Sequence, residues 1–115
     1  MKRVLESLGM GTYRRRLDIV AGILNVASKD SKKTQIMYQA NLSYKVLQKY
    51  LTEVVDSSLI SFEGARHCYQ LTDKGKRFLE AYQEYSRSYK HIEKRLNDVK
   101  MRKKNLQELC PGSMS

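Results

Sequence analysis

The chain has 115 residues, with 22 lysines and arginines against 12 aspartates and glutamates, a formal net charge of +10. That length suits one modest core rather than an elaborate enzyme pocket, and a pI near 9.7 favours a polyanionic partner. Two cysteines, Cys68 and Cys110, have no metal-ligand spacing and imply no disulfide framework, and no window approaches the roughly 18 apolar residues of a membrane span.

Residues 1–12 are expected to form an arm. Val4, Leu5 and Leu8 permit one helical turn, and Gly9 and Gly11 loosen the backbone. Lys2 and Arg3 either touch phosphate or are solvated. Tyr13 to Ala27 is predicted as a helix, with Leu17, Val20, Ala21, Ile23 and Leu24 on one face. Arg14, Arg15 and Arg16 open it against the helix dipole, which a nearby anion would explain and a solvated surface would tolerate. A polar loop, Ser28 to Ser31, leads to a short second helix from Lys33 to Ala40 whose inner side is Ile36, Met37 and Ala40. Thr34 near its start either caps it or helps hold a phosphate.

Asn41 and Leu42 form the next turn, and Ser43 reads as the N-cap of a third helix that runs to about Ser57. Its inner face is Leu47, Tyr50, Leu51 and Val54; its outer face is Lys45, Gln48, Lys49 and Thr52. Leu59 to Glu63 alternates as a strand, Gly64-Ala65 turns, and Cys68 to Leu71 returns. From Asp73 a helical pattern continues almost to the C-terminus.

Three helices, a hairpin and a long helix read as a winged helix-turn-helix. The expected fold class is mainly α with a small β-hairpin, the last helix forming an antiparallel dimeric coiled coil. The expected division is an arm at 1–12, a winged helix-turn-helix at 13–72, a dimerisation helix at 73–109 and a tail at 110–115. Phe78, Tyr82, Tyr85, Tyr89, Ile92, Leu96, Val99 and Leu106 recur every three or four positions along that helix, a seam that asks for a partner. The seam is bulky at its start and slim at its end. An antiparallel pair sets large against small and brings Glu80 and Glu84 near the partner's Lys100, Arg102, Lys103 and Lys104. The competing reading folds the helix back onto its own globule.

In a helix-turn-helix the second helix of the pair enters the major groove, and its early residues meet base edges. Here those are Tyr44, Lys45, Gln48 and Lys49, with Lys33, Thr34 and Ser43 beside them. Lysine and glutamine can read bases or hold phosphate, and the spacing does not choose between these roles. Gly64-Ala65-Arg66-His67 is the candidate wing tip, with Arg66 suited to phosphate or the minor groove and His67 able to gain charge as pH falls.

The stretches Lys33-Thr34-Gln35-Ile36-Met37-Tyr38-Gln39-Ala40-Asn41-Leu42-Ser43-Tyr44-Lys45-Val46-Leu47-Gln48-Lys49-Tyr50-Leu51 and Tyr69-Gln70-Leu71-Thr72-Asp73-Lys74-Gly75, with Phe78-Leu79, resemble the archaeal winged-helix DNA-binding proteins of the 10a type, small basic regulators and chromatin proteins. The resemblance covers roughly Tyr13 to Leu109. It implies a homodimer joined by an antiparallel coiled coil, and binding to duplex DNA through the helix that starts at Ser43 and through the wing. One departure is Ser57-Ser58-Leu59, where members of that group often carry a glycine before the first strand.

The expected partners are double-stranded DNA and a second copy of the chain, in the cytoplasm and associated with the nucleoid, with no membrane. No cofactor is expected, and no enzyme. The chain has no Gly-rich phosphate loop, no metal cluster and no nucleophile with a visible partner. The alternative is a coiled-coil interaction module without a nucleic-acid role. RNA is disfavoured because no aromatic platform is evident on a sheet.

Overall fold

The computed structural model describes residues 10–112, with side chains from Arg16 onward. Its elements are α1 (Met10–Ala27), α2 (Lys33–Gln39), α3 (Tyr44–Asp56), β1 (Ile60–Glu63), β2 (Cys68–Leu71) and α4 (Asp73–Leu109). The molecule measures 71 × 26 × 21 Å, a small head with a rod projecting from it.

Apolar residues at helical spacing build the head. Val20, Ile23, Leu24 and Ala27 of α1 meet Ile36 of α2, Leu47, Leu51 and Val54 of α3, and Leu59 and Ile60 at the start of the hairpin. Leu42 plugs against this core from the turn between α2 and α3. The Ser43 hydroxyl accepts from the Val46 N–H at 3.3 Å, so the expected cap of α3 is present.

The two helices of the pair end alike. After α2 the Leu42 N–H donates to the Met37 carbonyl (3.0 Å) and the Asn41 N–H to that of Tyr38 (3.2 Å), with Asn41 at φ 54°. After α3 the Leu59 N–H donates to Val54 and the Ser58 N–H to Val55, both at 2.9 Å, with Ser58 at φ 62°. Each is a Schellman closure, whose left-handed residue is usually glycine. Ser58 therefore takes the left-handed conformation that glycine favours, and the helix still closes normally.

β1 and β2 pair antiparallel, with Ile60 opposite Leu71 and Phe62 opposite Tyr69. Ser31 adds one bridge to the hairpin: its N–H donates to the Tyr69 carbonyl (3.2 Å) and its carbonyl accepts from the Tyr69 N–H (2.8 Å). The loop at Ser28 to Ser31 thus contributes a one-residue third strand, pinned by the buried Ser31 hydroxyl donating to the Val26 carbonyl at 2.8 Å.

The junction between head and rod is tightly tied. The Thr72 hydroxyl accepts from the Gly75 N–H (3.0 Å) and lies 2.6 and 2.9 Å from the Ser58 and Leu59 carbonyls, while Lys74 Nζ donates to the Ser57 carbonyl at 2.7 Å. Gly75 is buried here because nothing larger fits. A Cβ at that position would lie 2.1 Å from the Leu59 carbonyl oxygen and 2.5 Å from Leu71 Cδ1.

Two expectations need correction. The first helix starts at Met10, ahead of the expected Tyr13, so residues 10–12 form its first turn; the rest of the expected arm, residues 1–9, lies outside the described residues. A single glycine such as Gly11 costs a helix about 1 kcal/mol, less than the burial of α1 returns. The three arginines therefore follow the first turn instead of opening the helix. The apolar seam of α4 is also divided. Phe78 and Leu79 pack on the head core, and the Tyr82 hydroxyl donates to the Asp18 carboxylate of α1. Tyr82, Tyr85 and Tyr89 stack in tilted steps of 6.2 Å, and Tyr89 is only 4% exposed within the single chain. Past Tyr89 the stripe turns outward: Ile92 is 38% exposed, Val99 60% and Leu106 67%. A helical period fixes which face is apolar but not which neighbour covers it, so the same spacing runs from residues packed on the head to residues left exposed.

Candidate nucleic-acid interface

α3 crosses the head with Leu47, Leu51 and Val54 turned inward, which leaves the opposite face open. Tyr44, Lys45, Gln48, Lys49 and Thr52 are all exposed. The N-terminal turn of α3 carries no acidic residue, so its unpaired N–H groups and Lys45 form a positive end.

The structure joins three of the expected residues. Lys33 of α2 reaches across to α3, where its ammonium donates to Gln48 Oε1, lies 3.5 Å from the Tyr44 hydroxyl and sits 4.7 Å from the centre of the Tyr44 ring. Lys33 is half-buried by these contacts. Tyr44 thus packs on Lys33. Lys49 lies 5.4 Å from the Tyr50 ring and is otherwise open, as is Lys45. Ser43 spends its hydroxyl on the helix cap. Thr34 is exposed on α2. Its neighbour Gln35 closes the helix start by accepting from the Lys32 N–H at 3.0 Å.

The wing carries ion pairs of its own. Arg66 is bound to two carboxylates, Glu63 (Nε to Oε2, 3.4 Å) and Asp30 (3.7 Å). The Arg66 backbone N–H donates to Glu63 Oε2 at 2.8 Å and the Ala65 N–H to Oε1 at 3.2 Å. The Arg66 N–H, the largest effect, holds the Glu63 carboxyl below its ordinary range; desolvation, the next largest, opposes it, and the Ala65 N–H and the Arg66 guanidinium add to the lowering. The wing arginine is therefore charge-compensated at rest. His67 stands at φ 52°, its ring 6.1 Å from the half-exposed Phe62, which in turn lies 5.0 Å from Tyr69.

Arg16 pairs with Glu53 of α3 at 2.9 Å and lies 6.0 Å from the Tyr50 ring, which accounts for one of the three arginines without an external anion. Sequence reasoning passed over Tyr38, which stands 85% exposed on α2 next to the turn. Its exposure was legible from its place opposite Ile36 and Ala40 on a short helix. Among the described residues, no group of three or more His, Cys, Asp or Glu is placed to hold a metal ion, and no helix is long and apolar enough to cross a membrane.

A family model described as winged helix-turn-helix matches residues 13–90. A Methanocaldococcus jannaschii protein described as uncharacterized protein MJ0290 is 38% identical over 76 residues, covering 64% of this chain and 35% of that one. The chain thus spans about a third of the length of that curated relative. Among solved structures, Sso10a-2, a DNA-binding protein from Sulfolobus solfataricus, superposes with a TM-score of 0.67 at 26% identity, covering 74% of this chain and 92% of that one. The family match ends one residue past Tyr89, where α4 leaves the head. On these grounds the chain belongs to the winged helix-turn-helix family.

Proposed function

We propose that the chain binds double-stranded DNA as a homodimer and acts as a transcription regulator or a DNA-organising protein. The N-terminal half of α3 enters the major groove, and the wing lies on the backbone or in the minor groove. The observation that carries this reading is the outer face of α3, where Tyr44, Lys45, Gln48 and Lys49 are exposed together beside Lys33. The likeness to Sso10a-2, itself a DNA-binding protein, supports it.

The second copy would cover the outward stripe of α4. Ile92, Val99 and Leu106 are exposed and, with half-buried Leu96 between them, offer a helical seam; an antiparallel pair would hold the two heads apart. We place the start of that coil after Tyr89, not at Asp73, because the nearer residues are spent on the head. A second reading rests on the same stripe: a helix of another protein could occupy it, with the basic charge incidental.

The test is a titration of a fluorescent random-sequence duplex of about 30 base pairs at several salt concentrations, with a single strand of equal length alongside. Tight duplex binding whose affinity falls steeply with salt, with log K changing by about −0.9 per log unit of salt for each phosphate neutralised, is the expected result. A chain that self-associates yet ignores the duplex at low salt would leave the protein-interaction reading in its place.

A further inference from the structure

We infer that Lys33 orients Gln48 so that its amino group faces outward and selects guanine over adenine at one base pair of the bound site. The inference rests on the reading that α3 enters the major groove. The ammonium of Lys33 has three N–H donors and no acceptor, so only the amide oxygen of Gln48 can face it. A glutamine free of such a neighbour reads adenine with both amide atoms, donating to N7 and accepting from the N6 amino group. With Oε1 turned to Lys33, what Gln48 presents outward is its Nε2 amino group.

The neighbouring groups reinforce that polarity. The Tyr44 hydroxyl faces the same ammonium, so its oxygen is turned to Lys33 and its proton is left to point elsewhere. The ammonium keeps N–H bonds beyond the one given to Gln48. The cluster is therefore a set of donors. Guanine shows two acceptors in the major groove, O6 and N7; adenine replaces O6 with an amino group, which would set donor against donor. Lys33 is suited to this positioning role and not to holding phosphate. It is half-buried, and its charge rests on the Tyr44 ring and the Gln48 amide. Lys45 and Lys49, both exposed, are the residues free to take backbone phosphates.

The experiment is selection from a pool of randomised duplexes by the full chain and three variants, Lys33→Met, Lys33→Arg and Gln48→Ala, each first shown by its thermal melt to be folded. The wild type should enrich guanine over adenine at one position by about fivefold or more. Lys33→Arg, which keeps the donors, should retain that choice. Lys33→Met should turn the same position towards adenine, and Gln48→Ala should erase the preference there. Guanine persisting unchanged in Lys33→Met would overturn the inference. So would a wild type that binds random duplex tightly yet enriches no base, an outcome that leaves the duplex-binding reading standing. Failure to bind any duplex at low salt would overturn both, and is told apart by the titration alone.

Discussion

Substituting Gly75 with alanine should destabilise the head, although the same change in an ordinary helix position stabilises. A new Cβ would sit 2.1 Å from the Leu59 carbonyl oxygen, a backbone atom that cannot swing aside. Ordinary carbon–oxygen contacts lie near 3.3 Å, so the start of α4 must retreat by roughly 1 Å. That retreat breaks the Thr72 N–H and Thr72 hydroxyl bonds to the Leu59 carbonyl, at 3.2 and 2.9 Å. Each is worth about 1 kcal/mol net. Loosened packing of Leu71 and Phe78 costs about 1 kcal/mol more, and helix propensity returns about 1 kcal/mol. The net loss is about 2 kcal/mol, or roughly 8–16 °C in Tm for a head of this size. Gly22 is the control. It lies within α1 with nothing within 4 Å of its would-be Cβ, so Gly22→Ala should stabilise by about 0.5–1 kcal/mol. Thermal unfolding followed by circular dichroism, at one fixed protomer concentration, reads both variants. A Gly75→Ala protein as stable as the wild type would refute the close approach and with it the tied junction.

Ser58→Gly should raise stability by about 0.5–1 kcal/mol, because glycine takes the left-handed backbone at φ 62° without strain; a urea midpoint that falls would refute the Schellman closure. Lys45→Ala with Lys49→Ala should weaken duplex binding at moderate salt and flatten the salt slope by about 2 while leaving self-association intact, as read by titration and sedimentation. Ile92→Asp or Leu106→Asp should abolish the proposed self-association without lowering the stability of the head, whereas Tyr89→Ala should lower that stability because Tyr89 is already buried within one chain. The folded-state pKa of Glu63 is depressed, so its bonds to the wing tip are fully present above the ordinary value of 4.5 and are lost as pH falls below it. Carboxyl NMR should place its titration below 4.5, and Arg66→Ala should move it only part of the way back, since the backbone N–H at residue 66 survives the change.

Local chemistry was the legible part of this chain. Ser43 as a cap, Cys68 to Leu71 as a strand, Asp73 as a helix start and the two faces of α3 all follow from side chains within a few positions of one another. What escaped depended on distant partners. Lys33 and Gln48 are 15 positions apart, and no spacing rule links the end of one helix to the outer face of the next. The ion pairs of Arg66 were not legible because Asp30 lies 36 positions away and Glu63, though near, read as an ordinary strand residue. The division of the α4 seam escaped for the reason already given, since α1 and a foreign helix leave the same imprint on the sequence. Ser31 gave no strand signal because one residue makes no alternation.

The tied junction at Thr72 and Gly75 turns residue count into an angle. No hinge separates the head from α4, so each residue between the last head contact and the outward stripe sets the stripe's bearing around the rod. Inserting one residue after Tyr89 would swing Ile92, Val99 and Leu106 by about 100° and advance them by about 1.5 Å. Inserting seven would bring them back to within about 20°. Lengthening or shortening the rod should therefore be tolerated in steps of seven, and any other step would turn the stripe to a different side of the head.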